Sequence, residues 1–160
     1  MINILFVCMG NICRSPAAEA ILKKKLRDSN HGERFFVDSA GTIDYHAGEL
    51  PDPRMIDCGN KRSYKLDHRA RKFSPKIDFD KYDYIFTMDE LNYTAIVNWD
   101  REKKFSNKIK RITDYCNNFK LNQVPDPYYG DENDFNYVLD ILEDVCNGII
   151  SSLENDKSNY

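Results

Sequence analysis

Of the six residues Ile2-Asn3-Ile4-Leu5-Phe6-Val7, every one but Asn3 is apolar. A strand with one wet face alternates apolar and polar residues. A run without that alternation suits a strand covered on both faces, as in parallel sheets. From Pro16 to Leu26 the apolar residues recur at helical spacing, with Ala17, Ala20 and Ile21, joined by Ala18 and Leu22, on the inward side. Ser15 is a good helix cap and Pro16 suits a first helical position. The opening of the chain therefore predicts a buried strand, a tight loop from Cys8 to Ser15, and a helix.

The rest continues that alternation. Arg34 to Ala40 predicts a second strand and Gly41 to Asp52 a loop. A helix is expected from Pro53 to about Tyr64, capped by Asp52. Tyr82 to Thr87 predicts a third strand, Glu90 to Trp99 a helix and Lys108 to Ile112 a fourth strand. A brief helix is expected near Asp114 to Asn118, then a loop from Lys120 to Gly130 that holds Pro125 and Pro127. The last helix is expected from Asp131 to Leu153, with Phe135, Val138, Leu139, Leu142, Val145, Ile149 and Leu153 on one stripe. Strands that alternate with helices predict an α/β fold with a parallel sheet covered on both faces. Ligands of such sheets sit beyond the carboxyl ends of the strands, at helix N-termini. The segment from Cys8 to Ser15 lies at that position.

Composition narrows the function. The 160 residues suit a single domain spanning 1–160, and 41% hydrophobic residues suffice for a core. No run reaches the roughly 18 apolar residues of a membrane span. The first apolar run is too short for a secretory signal, so a cytoplasmic location is expected. The net charge of −3, from 23 basic and 26 acidic residues, disfavours a nucleic-acid partner. Lys61 to Lys72 carries six Lys or Arg against Asp67, and Arg101 to Arg111 carries six against Glu102. Both runs are expected to be solvated faces able to steer an anion. Five cysteines, at 8, 13, 58, 116 and 146, rule out complete disulfide pairing, and no spacing matches a zinc site. Reduced thiols are expected, with Cys58, Cys116 and Cys146 as small buried groups.

The loop after the first strand carries the chemistry. Cys8-Met9-Gly10-Asn11-Ile12-Cys13-Arg14-Ser15 is a Cys-x5-Arg-Ser pattern between a strand and a helix. Inward amides from Met9 to Ser15 would form an anion cradle. Gly10 admits a close backbone approach, and Asn11 tolerates a left-handed conformation. Arg14 offers a planar fork for two phosphate oxygens. The amides, the helix N-terminus and Arg14 together favour the thiolate of Cys8, its nucleophilic form. A nucleophile on phosphate needs an acid for the leaving oxygen. Asp126 is the candidate, because Pro125 and Pro127 stiffen its segment. Tyr128 and Tyr129 beside it offer flat walls for an aromatic substrate.

These segments together resemble the low-molecular-weight protein tyrosine phosphatases. The likeness covers nearly the whole chain: Val7 to Pro16, Asp38-Ser39-Ala40-Gly41-Thr42, Pro51-Asp52-Pro53-Arg54, His68-Arg69-Ala70-Arg71, Thr87-Met88-Asp89 and Asp126-Pro127-Tyr128-Tyr129-Gly130. The resemblance implies a three-layer α/β/α fold with a four-stranded parallel sheet in the order 2-1-3-4. It also implies a reaction with no metal and no cofactor. It makes Cys8 the nucleophile of a cysteinyl-phosphate, Arg14 with the loop amides the phosphoryl clamp, and Asp126 the acid and then the base. Ser15, Asn11, Ser39 and His68 match supporting polar residues. Cys13 matches a redox partner able to form a disulfide with Cys8 under oxidant. Tyr45, Tyr128 and Tyr129 match the substrate cleft, with Tyr45 standing where some animal members have tryptophan. Ile12 stands where related arginine phosphatases have threonine, which points toward phosphotyrosine.

The partners implied are phosphotyrosine proteins or small aryl phosphates, with inorganic phosphate as product and inhibitor and no membrane partner. A monomer is expected, with weak self-association through the cleft tyrosines. The alternatives on the same fold are a thiol-based arsenate reductase, an arginine phosphatase and a non-catalytic phosphate-binding module. The reductase needs resolving cysteines after the third strand, and Phe79 to Asn98 holds none.

Overall fold

In the computed structural model, which describes residues 1–155, the first strand is the axis of the sheet. β1 (Ile2–Cys8) pairs in parallel with β2 (Phe35–Gly41) on one side and β3 (Tyr84–Thr87) on the other. β3 pairs in parallel with β4 (Ile109–Arg111), so the order is β2-β1-β3-β4, as expected. Cys8 lies opposite Gly41 and Val7 opposite Thr87. The carboxyl ends of three strands thus meet at one edge, and Cys8 is the last residue of the central one.

Side chains alternate across a strand, and β1 uses both faces. Ile4, Phe6 and Cys8 join the larger core with α1 (Arg14–Asp28), α2 (Pro53–Asn60) and α5 (Glu132–Asn155). Leu5 and Val7 join the smaller core with α3 (Pro75–Lys81) and α4 (Glu90–Trp99). The predicted stripe of α5, from Phe135 to Leu153, is buried throughout. No helix among the described residues is long and apolar enough to cross a membrane.

Several local expectations are corrected. α1 starts at Arg14 with Cys13 in the cap position, so Ser15 is not the cap and Pro16 is not the first helical residue. The Ser15 hydroxyl serves Cys8 and Asn11 instead of the helix end. α2 stops at Asn60 rather than Tyr64, because the chain turns back at Ser63 (φ 63°) and the Tyr64 N–H closes on the Gly59 carbonyl. Leu66 then packs on Gly59, where an added Cβ would lie 2.6 Å from its Cδ1. α3 was not expected. Its seven residues are too few to show periodicity, and Asp78 fastens its start by accepting from the Ser74 N–H (2.7 Å). The helix expected near Asp114 to Asn118 is a 3-10 turn over Ile112–Tyr115, and Cys116 is only half-buried. The Lys61 to Lys72 run is a solvated face, as expected, but much of its charge is paired. Lys61 pairs with Glu132, Arg62 with Asp140 and Glu143, Lys65 with Asp67, and Arg71 with Asp38 and Asp78.

One buried acid holds the connection into the segment that carries Asp126. The Asp144 carboxylate accepts from the N–H groups of Asn117 (2.9 Å), Asn118 (3.0 Å) and Phe119 (3.3 Å) and from Asn118 Nδ2 (2.8 Å). Burial works against its charge, but these donors outweigh it and hold its pKa below the ordinary value. A lowered carboxylate pKa stabilises the fold above the unfolded value of about 3.9, and that contribution fades as pH falls through the folded value. Asp144→Asn should therefore lose about 1–3 kcal/mol at pH 7 in urea unfolding. The gap to the parent should close as pH falls below about 4, whereas a constant gap would show that the carboxylate charge is not what matters.

Candidate active site

The Cys8 loop is hung from outside by its carbonyls. Cys8 O accepts from Thr42 N (2.9 Å), Met9 O from Ile43 N (3.1 Å) and Ile12 O from Asp52 N (2.8 Å). Carbonyls tied outward turn the amide dipoles the other way, toward an anion at the centre of the loop. β2 reaches this loop only because residue 41 is glycine: a Cβ there would lie 2.6 Å from Met9 O. Asn11 has φ 57°, the left-handed conformation expected of it.

Asn11 uses its whole hydrogen-bonding capacity. Its Nδ2 donates to Ser15 Oγ (2.8 Å) and to Ser39 Oγ (3.0 Å). Its Oδ1 accepts from Arg71 N (2.9 Å) and faces His68 Nε2 at 3.0 Å. Because Asn11 occupies an acceptor site on Ser15, the hydroxyl proton of Ser15 is free to point at Cys8 Sγ, 3.1 Å away. Ser39 Oγ in turn donates to Glu19 Oε2 (2.6 Å), which also faces His68 Nδ1 at 3.2 Å. Ser15, Asn11, Ser39 and His68 thus form one connected brace beneath the loop.

Glu19 was missed by sequence reasoning. It is buried on α1, one turn after Ser15, among apolar neighbours. An acid on the inward face of a helix was the available signal. Glu19, Asp38 and His68 bring their ligand atoms within 4.8 Å of one another, a grouping that could hold a metal ion. Their oxygens already face donors: Ser39 Oγ and Lys23 Nζ at Glu19, and Ser39 N, Tyr82 Oη and Arg71 Nη2 at Asp38. Hydrogen bonding accounts for the cluster without an ion.

Above the loop, Arg14 is held by Asp89 and by chain beyond β3. Its Nη1 donates to Asp89 Oδ2 (2.7 Å) and to Val124 O (3.2 Å), and Nη2 lies 3.5 Å from Asp126 Oδ2. Burial works against its charge, but Cys8, the Asp89 bond and Asp126 outweigh it and raise its pKa. Asp89 closes the Thr87-Met88-Asp89 motif, and its position at the end of a buried strand, as the cap of α4, was the missed clue to its role. Burial raises the pKa of Cys13, with Asp52, Cys8 and Asp126 adding to it and Arg14 opposing. Cys13 is therefore a thiol at neutral pH.

A cleft of about 300 Å³ opens over Cys8. Met9, Gly10, Ile12, Cys13 and Arg14 of the loop line it together with Tyr45, Asp126, Tyr128 and Tyr129. Ile43 and His46, not anticipated, also line it. His46 packs on Gly10, where a Cβ would lie 3.2 Å from its Cδ2, and its Nδ1 is 2.7 Å from Glu49 Oε2. Tyr45 and Tyr129 are more than four-fifths exposed, whereas Tyr128 is partly packed.

The brace makes a stability prediction. Asn11→Ala removes four contacts from buried or half-buried groups and should cost about 2–4 kcal/mol in urea unfolding. Asn11→Gly loses the same contacts but relaxes the left-handed backbone, and should be less damaging by about 1 kcal/mol. Equal losses would mean that the positive φ carries no strain.

Comparison with known proteins agrees with this geometry. The family model described as low molecular weight phosphotyrosine protein phosphatase matches residues 3–159. A protein tyrosine phosphatase from Entamoeba histolytica, crystallised with Hepes in its active site, superposes with a TM-score of 0.94 at 44% identity, covering 98% of this chain and 99% of that one. The human low molecular weight phosphotyrosine protein phosphatase is 38% identical over 149 residues, 92% of this chain and 93% of its own. That of Dictyostelium discoideum is 37% identical over 170 residues, 95% and 93% of the two chains. A chain that meets one family's model from its third residue onward, and its members over more than nine-tenths of their length, belongs to the low-molecular-weight phosphotyrosine protein phosphatases.

Proposed function

We propose that the protein hydrolyses phosphotyrosine and small aryl phosphates through a cysteinyl-phosphate on Cys8. One observation carries the reading. Cys8, buried at the end of β1, lines one cleft together with Asp126, and Arg14 reaches within 3.5 Å of the Asp126 carboxylate. A nucleophile, an anion clamp and an acid thus share one opening of aryl-phosphate size.

The thiolate of Cys8 attacks phosphorus and forms the S–P bond. The P–O bond to the phenol breaks, and the leaving oxygen takes its proton from Asp126. Arg14 and the loop amides hold the three equatorial oxygens and gain strength as charge spreads over them. Asp126, now a carboxylate, takes a proton from water. The resulting hydroxide attacks phosphorus, and the S–P electron pair returns to Cys8, where the Ser15 hydroxyl stabilises the thiolate. Inorganic phosphate is released and competes for the same loop.

Tyr128 and Tyr45 flank the phenol ring in this reading, and the apolar Ile12 offers no hydroxyl to a guanidinium substrate. Under peroxide, Cys8 oxidises to a sulfenic acid, and the Cys13 sulfur displaces its oxygen as water to close a disulfide. A thiol count after peroxide should fall by two, and one oxidised thiol with Cys13 still free would refute the pairing.

Turnover of 4-nitrophenyl phosphate at mildly acidic pH should persist in excess chelator and vanish in Cys8→Ser. Asp126→Asn should lower kcat/KM for phosphotyrosine by about 10²–10⁴-fold. Chelator-sensitive turnover, or activity retained in Cys8→Ser, would overturn the mechanism.

A further inference from the structure

The segment that carries Asp126 is lightly anchored. Among the described residues, no hydrogen bond joins residues 125–130 to another element, and the contact from Arg14 is the one ion pair. Within the segment, the Tyr128 N–H donates to Asp126 Oδ1 (3.1 Å), so the ring of Tyr128 and the carboxylate of Asp126 are set by one short turn. What holds Tyr128 therefore also aims Asp126.

Arg54 is placed to do this. Its guanidinium lies 5.4 Å from the centroid of the Tyr128 ring and 4.7 Å from that of Phe135, which is buried in the first turns of α5. The same guanidinium is fixed in orientation by two bonds to Asp52, Nε to Oδ1 (3.0 Å) and Nη2 to Oδ2 (2.8 Å). Asp52 is not a free surface acid: it caps α2, and its own N–H is the donor that holds the Ile12 carbonyl of the Cys8 loop. The contacts run in a chain from Ile12 to Asp52, Arg54, Tyr128, Asp126 and Arg14.

We infer that Arg54 is a positioning residue for the general acid: by lying over the Tyr128 ring while bonded to Asp52, it ties the 125–130 segment to the Cys8 loop and sets the Asp126 carboxyl at the leaving oxygen. The role needs arginine. A planar guanidinium presents its edge to a carboxylate and its faces to aromatic rings at once, which an ammonium cannot do. The inference rests on Asp126 as the acid, and the test separates the two.

The readout is the dependence of kcat/KM on the leaving group, across aryl phosphates from 4-nitrophenyl phosphate to phosphotyrosine. An acidic phenol leaves with little help, whereas an ordinary phenol needs its proton. Asp126→Asn should steepen this dependence most and sets the scale. Arg54→Lys and Arg54→Gln should steepen it in the same sense, with kcat/KM for phosphotyrosine falling about three- to tenfold more than for 4-nitrophenyl phosphate, as loss of a partly exposed cation–π contact allows. The slope compares substrates on one preparation, so partial unfolding cancels from it. Adding Arg54→Lys to Tyr128→Leu should steepen the slope no further, since the partner ring is already gone. A uniform loss across all substrates, or no loss, with the Asp126→Asn slope steep, would overturn the inference and leave Arg54 a structural residue. An unchanged slope in Asp126→Asn would overturn the acid assignment itself, and the role of Arg54 with it.

Discussion

A loop whose amide dipoles converge on one point repels itself whenever that point lacks negative charge. The conformation has to be imposed by its surroundings, and here Asn11 imposes it. Four contacts converge on one side-chain amide, from α1, β2 and the 68–71 segment, and together they hold a backbone at φ 57°. The energy comes from satisfying buried groups that would otherwise be orphaned, which is worth more than the net gain of any single exposed hydrogen bond. The left-handed conformation is repaid by the same contacts. Gly41 belongs to this arrangement, because only a residue without Cβ lets β2 bring Ser39 and the 42–43 amides against the loop.

The brace also carries a direction. Both amide hydrogens of Asn11 are spent on hydroxyl oxygens, so Ser15 and Ser39 must send their own protons elsewhere. Ser39 sends its proton to Glu19, and Ser15 has Cys8 Sγ at 3.1 Å and the Ala40 carbonyl at 3.5 Å within reach of its own. The polarity of this chain is set at one end by the buried carboxylate of Glu19. Above the loop the balance is different. Arg14 is buried and would be costly if unpaired, so Asp89 pairs with one arm of the guanidinium at 2.7 Å while the other arm lies toward Asp126 at 3.5 Å. Asp89 thus lets a buried cation exist beside the sulfur without requiring bound phosphate to stabilise it.

Much of this was legible because local pattern and global fold agree at the start of the chain. The near-continuous run of β1, the Gly-Asn loop and the inward residues of α1 all point to a parallel sheet with an anion site at its carboxyl edge, and the sheet order follows the family likeness. Cys8, Arg14 and Asp126 do meet at one cleft, as expected from their neighbours in sequence. What escaped was set by tertiary contact. Ser15 looks like a cap by residue type, yet its hydroxyl is claimed by Cys8 and Asn11, and no local rule registers that competition. Glu19 reads as one more polar residue on a helix until β2 and His68 close over it. α3 is too short for any period, and the ion pairs of Lys61 and Arg62 join residues more than 70 positions apart.

The two halves of the cleft are built to different standards. Cys8, Ser15 and Arg14 stand on a central strand and a buried helix, packed from both sides, where side chains have little room to move. Asp126 stands on a proline-flanked loop with its side chain about two-fifths exposed, tied to the rest by one ion pair and the Arg54 guanidinium over Tyr128. This asymmetry fits the chemistry proposed. The phosphoryl group is small and always the same shape, so its clamp gains from rigidity. The leaving group varies in size, and the acid must meet it, let it go, and then face a water in the same place. A carboxylate on a stiff but lightly anchored segment can do both, provided something returns the segment to one position between steps. The guanidinium of Arg54, bonded to Asp52 and lying over the rings of Tyr128 and Phe135, is the contact placed to do so.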